Sequence, residues 1–134
     1  MSEQDNVRAV QNLFERFGSG DVPGILGLLS DDVDWHIRGP EAVPYFGPRR
    51  GHDGVLDFFG KLATSVEFES LRPEEFVPAG DKVLVIGGER GRVRATGKSF
   101  DNPWIMVFTL RDGKINRFRS YEDTAAVAEA FKAQ

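Results

Sequence analysis

Cysteine is absent from the 134-residue chain. Its absence excludes disulfides, thiolate nucleophiles and thiolate-ligated zinc or iron–sulfur centres. Histidine is nearly as scarce. His36 and His52 stand far apart without HxxH or HExxH spacing, so a metal site has no support. No apolar stretch approaches the ~20 residues of a membrane span. The opening MSEQDNVRAV is acidic and polar, where a secretory leader would carry an apolar run. A soluble, cytoplasmic protein is the expectation. Cations are outnumbered, 17 Lys and Arg against 21 Asp and Glu for a net charge of -4, which argues against a nucleic-acid or anionic-membrane partner.

What is present is a globular composition, 40% hydrophobic and 28% charged, with eleven phenylalanines and two tryptophans to build an aromatic interior. The length fits one domain over 1–134. In NVRAVQNLFERFGSGD, Val7, Val10, Phe14 and Phe17 step by three or four residues, with Leu13 widening the stripe, which predicts a helix stopped by Gly18 and Gly20. Asp21 is placed to cap a second, short helix with Pro23 in its first turn, and PGILGLLS offers Ile25, Leu28 and Leu29 for burial. DVDWHIRG alternates as a half-buried strand, with Val33, Trp35 and Ile37 on one side and Asp34, His36 and Arg38 on the other. GPEAVPYFGPRRG, residues 39–51, is rich in Pro and Gly and reads as a structured loop. DGVLDFFGKLA restores helical spacing through Val55, Phe58, Phe59 and Leu62.

The period then changes to two, and strands are expected at roughly 66–78, 82–95, 99–110 and 114–122. PAGDK joins the first pair; LRDGK joins the last, its Asp-Gly suiting a tight hairpin. A short helix, capped by Asp123 or Thr124, offers Val127, Ala130 and Phe131. Helices first and a block of long strands after indicate α+β architecture. In the strand from 104, Trp104, Met106, Phe108 and Leu110 share one face, and Ile105, Val107 and Thr109 share the other. Both faces are mostly apolar, so a covering for the outer one is expected, most simply a second subunit. In the last strand Asn116, Phe118, Ser120 and Glu122 oppose Ile115, Arg117, Arg119 and Tyr121; a bulge here would exchange the faces.

VQNLFERFGSGDVPGILGLLSDDVDW, the Pro/Gly loop with GHDGVLDFF, ATGKSF and LRDGKINRFRSYEDT together cover nearly the whole chain and resemble the SnoaL-like, ketosteroid-isomerase-like branch of the NTF2-like superfamily. The resemblance implies an α+β, cone-shaped fold in which a strongly curved sheet wraps three helices from the N-terminal half, with a short C-terminal helix added. It implies a mostly apolar pocket, no cofactor, and a homodimer through the outer sheet face. In ketosteroid isomerases a Tyr, an Asp base and a protonated Asp do the chemistry. Matched along this chain, those positions fall on Leu13, Ile37 and Met106, none of which can move a proton or donate to an oxyanion. The same frame turns Phe118, Ser120 and Glu122 inward.

Glu89 is a candidate acid or base if GGERGRVR bulges to turn it toward the cavity; the alternative is a solvated or subunit-facing strand with ion pairs. Glu122 and His36 are the other candidates, although alternation sets His36 opposite Trp35 and Ile37. His52 reads as a capping or surface residue. Trp35, Trp104, Met106 and Phe108 form an aromatic wall, Leu13 and Phe59 join it from the helices, and Tyr45 and Phe46 supply a rim or lid. Arg49 and Arg50 are placed to steer an anionic ligand or simply to solvate a loop. The function expected is binding of a small hydrophobic metabolite, open to cofactor-free isomerase, cyclase or hydrolase chemistry. The alternative is a non-catalytic ligand-binding or dimeric interaction module on the same scaffold.

Overall fold

The computed structural model describes residues 2–133. Helix α1 spans Glu3–Gly18 and opens on a reciprocal cap: Ser2 Oγ accepts from the Asp5 N–H, and the Asp5 carboxylate accepts from the Ser2 N–H. Val10 and Leu13 of its apolar stripe are buried, with Phe14 and Phe17 packed against the core. Asp21 caps α2 (Val22–Leu26) by accepting the Gly24 N–H at 2.9 Å. This helix has only five residues, because Leu29 already opens strand β1, Leu29–Ile37.

The segment 39–51, expected as a loop, contains a short strand, β2 (Gly47–Arg50), paired antiparallel with β1. Pro48 is tolerated because β2 is an edge strand, where a missing N–H breaks no second ladder. Helix α3 (Gly51–Ser65) follows and buries Val55, Phe58, Phe59 and Leu62. Strands β3 (Val66–Ala79), β4 (Lys82–Val93), β5 (Ser99–Arg111) and β6 (Lys114–Glu122) then form an antiparallel meander. The turn between β5 and β6 uses two left-handed residues, Asp112 (φ 53°) and Gly113 (φ 79°), whose twist matches that of the strands it joins. Helix α4 (Thr124–Phe131) closes the chain, with Asp123 accepting the Ala126 N–H.

The six strands lie in the order β2-β1-β6-β5-β4-β3, with β1 and β6 parallel. The strongly curved, cone-shaped sheet expected from the sequence is corrected by this topology. The order is linear and the edges at β2 and β3 do not meet, so the sheet is open and not wrapped into a cone. Alternation of apolar residues records which face is buried, whereas the path of the sheet depends on twist and register summed over all strands. Bulges are local: one separates Phe68 from Ser70, another Pro73 from Glu75, and a third leaves Asn116 between the paired Ile115 and Arg117. The last of these lets Ile115 and Phe118 both point inward. Gly87 is required where the bulged β3 closes in, since a Cβ there would collide with the Arg72 carbonyl oxygen. Helices α1 and α3 pack on the inner face.

Candidate functional site

Between the inner sheet face, α1 and α3 lies a cavity of about 70 Å³. Its wall is almost entirely carbon. Leu13 and Phe14 of α1, Phe58 and Phe59 of α3, and Met106 and Phe108 of β5 contribute to it. Trp35 stacks on Phe118 at 4.1 Å between ring centroids, which fixes the wall where β1 meets β6.

Two carboxylates break this apolar lining: Glu89 from β4 and Glu122 from the end of β6. Glu89 is placed by plain alternation. It shares parity with the buried Val83 and Val85, and the β4–β5 ladder runs through it without a register shift. The bulge invoked for it in β4 is therefore unnecessary; the irregularity lies in β3. Glu122 continues the inward set of Phe118 and Ser120.

Asn102 of β5, which is 1% exposed, holds the two carboxylates together. Its Oδ1 accepts the Asp123 N–H at 3.0 Å, and this orients the amide so that Nδ2 faces the acids. Nδ2 donates to Glu122 Oε1 at 2.9 Å and more weakly to Glu89 Oε2 at 3.4 Å. Trp104 Nε1 donates to Glu89 Oε1 at 3.1 Å, and Ser120 Oγ donates to Glu122 Oε2 at 2.6 Å. Burial pushes the Glu89 pKa up to about 8; the nearby charge of Glu122 adds to the rise, while the Asn102 and Trp104 donors and Arg72 oppose it. Burial also raises Glu122, against the donors from Ser120 and Asn102. Burial and mutual repulsion thus favour the protonated form of the pair.

Tyr45 forms part of the same cavity and is 3% exposed. Its phenol is held well above the usual tyrosine range, by burial first and then by the charges of Glu89 and Glu122. Tyr45 is thus wall and not rim. Phe46 packs edge-on against it at 5.2 Å and also fills the space beside Gly39, so it supports the wall from behind. Arg49 is tied to the carbonyls of Tyr45 and Phe46 and to Asp57, a set of bonds that shapes the 44–50 segment.

Leu13, Ile37 and Met106 all line the cavity, so the three positions matched to isomerase machinery do face the same space and are apolar there. Trp104 and Ser120, expected as ligand wall, lie on the inner face and direct their polar atoms to the carboxylates, and Trp104 stacks on Phe14 at 6.1 Å; both also border a groove shared with His36 and Arg119. Glu122 borders both the cavity and this groove. His36 lies in the groove, outside the cavity lining; burial and then Arg119 and Arg38 lower its pKa. His52 approaches the Leu29 carbonyl at 3.2 Å. Among the described residues no group of three or more His, Cys, Asp or Glu side chains is arranged to hold a metal ion. Asn102 was not singled out from the sequence, although it shares the face of Trp104 and Met106.

A family model for the SnoaL-like domain matches residues 10–118. The chain belongs to the SnoaL-like branch of the NTF2-like superfamily. This SnoaL-like chain is similar to an NTF2-like protein from Burkholderia xenovorans at 37% identity and a TM-score of 0.91, covering 98% of this chain and 99% of that one. It is similar to TerC, crystallised with polyporic acid, at 27% identity and a TM-score of 0.82, covering 95% and 98% of the two chains. An uncharacterized protein of Mycobacterium tuberculosis is 26% identical over 99% of this chain and the whole of that one. No helix of the SnoaL-like chain is long and apolar enough to cross a membrane.

Proposed function

We propose that this SnoaL-like chain binds a small, mostly apolar molecule in the cavity beneath the sheet and moves a proton on it, without a cofactor, through Glu89. The observation that carries the reading is the buried Glu89–Asn102–Glu122 cluster at the wall of an otherwise carbon-lined space. A carboxylic acid raised to about 8 is matched to proton transfer near neutral pH, in either direction. Burial and then Glu122 keep that pKa high, and Asn102 fixes the geometry of both groups. A proton taken from a substrate C–H or O–H would leave Glu89 neutral, the form its burial favours, so acceptance of the proton relieves a buried charge. Isomerisation, cyclisation and general-base hydrolysis all draw on such a step. Co-crystallisation of TerC with polyporic acid supports a small-molecule occupant.

A non-catalytic ligand-binding module on the same scaffold is the second reading, favoured by the carbon side chains at Leu13, Ile37 and Met106. The two separate on Glu89→Gln, the neutral isostere of the protonated acid. Once a molecule retained by the purified protein is identified by native mass spectrometry, the proton-transfer reading expects its turnover to fall ~10²–10⁴-fold with binding kept. Unchanged turnover would rule that reading out, and binding without any turnover in the wild type would select the second. We propose further that two copies pair through the outer sheet face, where Ile105 and Tyr121 are 42% and 61% exposed. Light scattering on the eluting peak of a size-exclusion column tests this, and a monomer at working concentration refutes it.

A further inference from the structure

Two residues of the cavity wall carry a buried polar atom with no hydrogen-bond partner among the described residues: Tyr45 at Oη and Trp35 at Nε1. Both side chains are almost fully buried, 3% exposed in each case. An unpaired buried donor is costly, and it persists where something else repays the cost. The two rings flank Phe58, with centroid distances to it of 5.5 Å from Trp35 and 6.2 Å from Tyr45. Tyr45 lines the same cavity as Glu89 and Glu122.

The chemistry of the missing partner follows from the donor inventory. An indole N–H donates only, and a phenol held far above its usual pKa keeps its proton. A ligand group that meets either donor must therefore offer an acceptor. An anionic acceptor is disfavoured by the two carboxylates in the same wall. An ammonium has no lone pair to offer and would leave the indole unpaired. What remains is a neutral oxygen on an apolar body.

We infer that Tyr45 is the specificity-determining donor of the cavity, its Oη–H binding a neutral carbonyl, ether or hydroxyl oxygen of the ligand, with Trp35 Nε1–H as a further donor. The inference rests on the ligand-binding reading above and adds the class of molecule: an uncharged, oxygen-bearing, mainly hydrocarbon compound. The oxygen lies at the Tyr45 end of the cavity, within the field of Glu89. Tyr45 is a recognition residue here, and no bond is made or broken at it.

Acetophenone and α-methylstyrene test the point, since they share shape and differ by a carbonyl oxygen in place of a methylene group. Affinities of both are measured by titration calorimetry for the wild type and for Tyr45→Phe, which keeps the ring and removes only the hydroxyl. The expected result is that the ratio of the two affinities shifts toward the hydrocarbon by tenfold or more in Tyr45→Phe. If both probes bind and the ratio is the same in the two proteins, the assignment of Tyr45 is overturned and ligand binding stands. If neither probe binds the wild type, the assignment and the ligand-binding reading fall together. A second measurement does not depend on the variant folding: the infrared carbonyl stretch of isotope-labelled acetophenone bound to the wild type. A shift below its hydrocarbon-solvent frequency supports the donor, and a hydrocarbon-like frequency overturns it.

Discussion

Glu89 and Arg90 are neighbours on β4, yet they occupy different chemical worlds. Glu89 is 6% exposed and, among the described residues, meets Asn102 and Trp104 alone as direct hydrogen-bond donors, so its charged form is penalised. Arg90 turns to the outer face, where it pairs with Asp101 at 3.0 Å and Glu69 at 3.6 Å in full view of water. The outer face repeats this pattern: Arg92 and Arg94 share Glu67, and Arg119 holds Asp34 through two guanidinium hydrogen bonds. Charges on the outer face are many and individually weak, because water competes for each of them. Among the described residues that line the cavity two are charged, Glu89 and Glu122, and each is expensive to ionise unless hydrogen-bonded. One sheet thus separates a solubilising surface from a proton-holding one by the pleat alone.

The sharpest way to break this comparison is pH. Glu89 is raised from an ordinary value of 4.5 to about 8, so the folded protein binds a proton that the unfolded chain has released throughout that interval. Stability from this group is fully present below about 4.5 and declines as pH rises toward 8, where the loss levels off. The full decline amounts to about 5 kcal/mol, at ~1.36 kcal/mol per pKa unit. Urea unfolding of Glu89→Gln across the same range should lose most of the slope; a wild-type profile that is already flat would remove the raised pKa. Next in size is Asn102→Leu, which deprives both carboxylates of their shared donor and unties the start of α4. It should cost about 3 kcal/mol near pH 7, and less in acid, where the carboxylates are neutral. An equal cost at both pH values would mean that Asn102 serves only packing.

The outer face should respond less and with the opposite sign. Arg119 lowers the Asp34 pKa below its ordinary 3.8, chiefly by direct hydrogen bonding, so the stability it lends is complete above 3.8 and fades as pH falls further. Arg119→Met should cost about 1 kcal/mol at neutral pH, and Arg92→Ala under ~0.5 kcal/mol in moderate salt. A cost for Arg92→Ala as large as that of Asn102→Leu would erase the distinction between the faces.

Much of the chain was legible before folding was considered. The amphipathic spacing of α1 and α3, the Asp21 and Asp123 caps, the four long strands and the Asp-Gly turn all appear as expected, because each rests on contacts within a few residues. Glu89 was legible too, by counting from Val83 and Val85, although its glycine neighbours suggested a bulge that β4 does not contain. Strand β2 was hidden by Pro48 and the glycines around it; only the presence of β1 beside it makes four residues a strand. Leu71 reaches the cavity because of the bulge after Phe68, which no count along β3 would reveal. Asn102 shares the inward face of Trp104, yet an isolated Asn before a proline carries no sign of what it will bridge.

By itself the sequence determined which residues form helices and strands and which side of each is apolar, since period and capping are properties of a local chain. It also determined that any catalysis here does without thiolates. The tertiary structure alone decided that the sheet stays open, that Glu89 and Glu122 meet on one amide, and that Tyr45 and Trp35 are left with unspent donors. These are relations between residues far apart in the chain, and their energies depend on the exclusion of water, which exists only once the elements have packed.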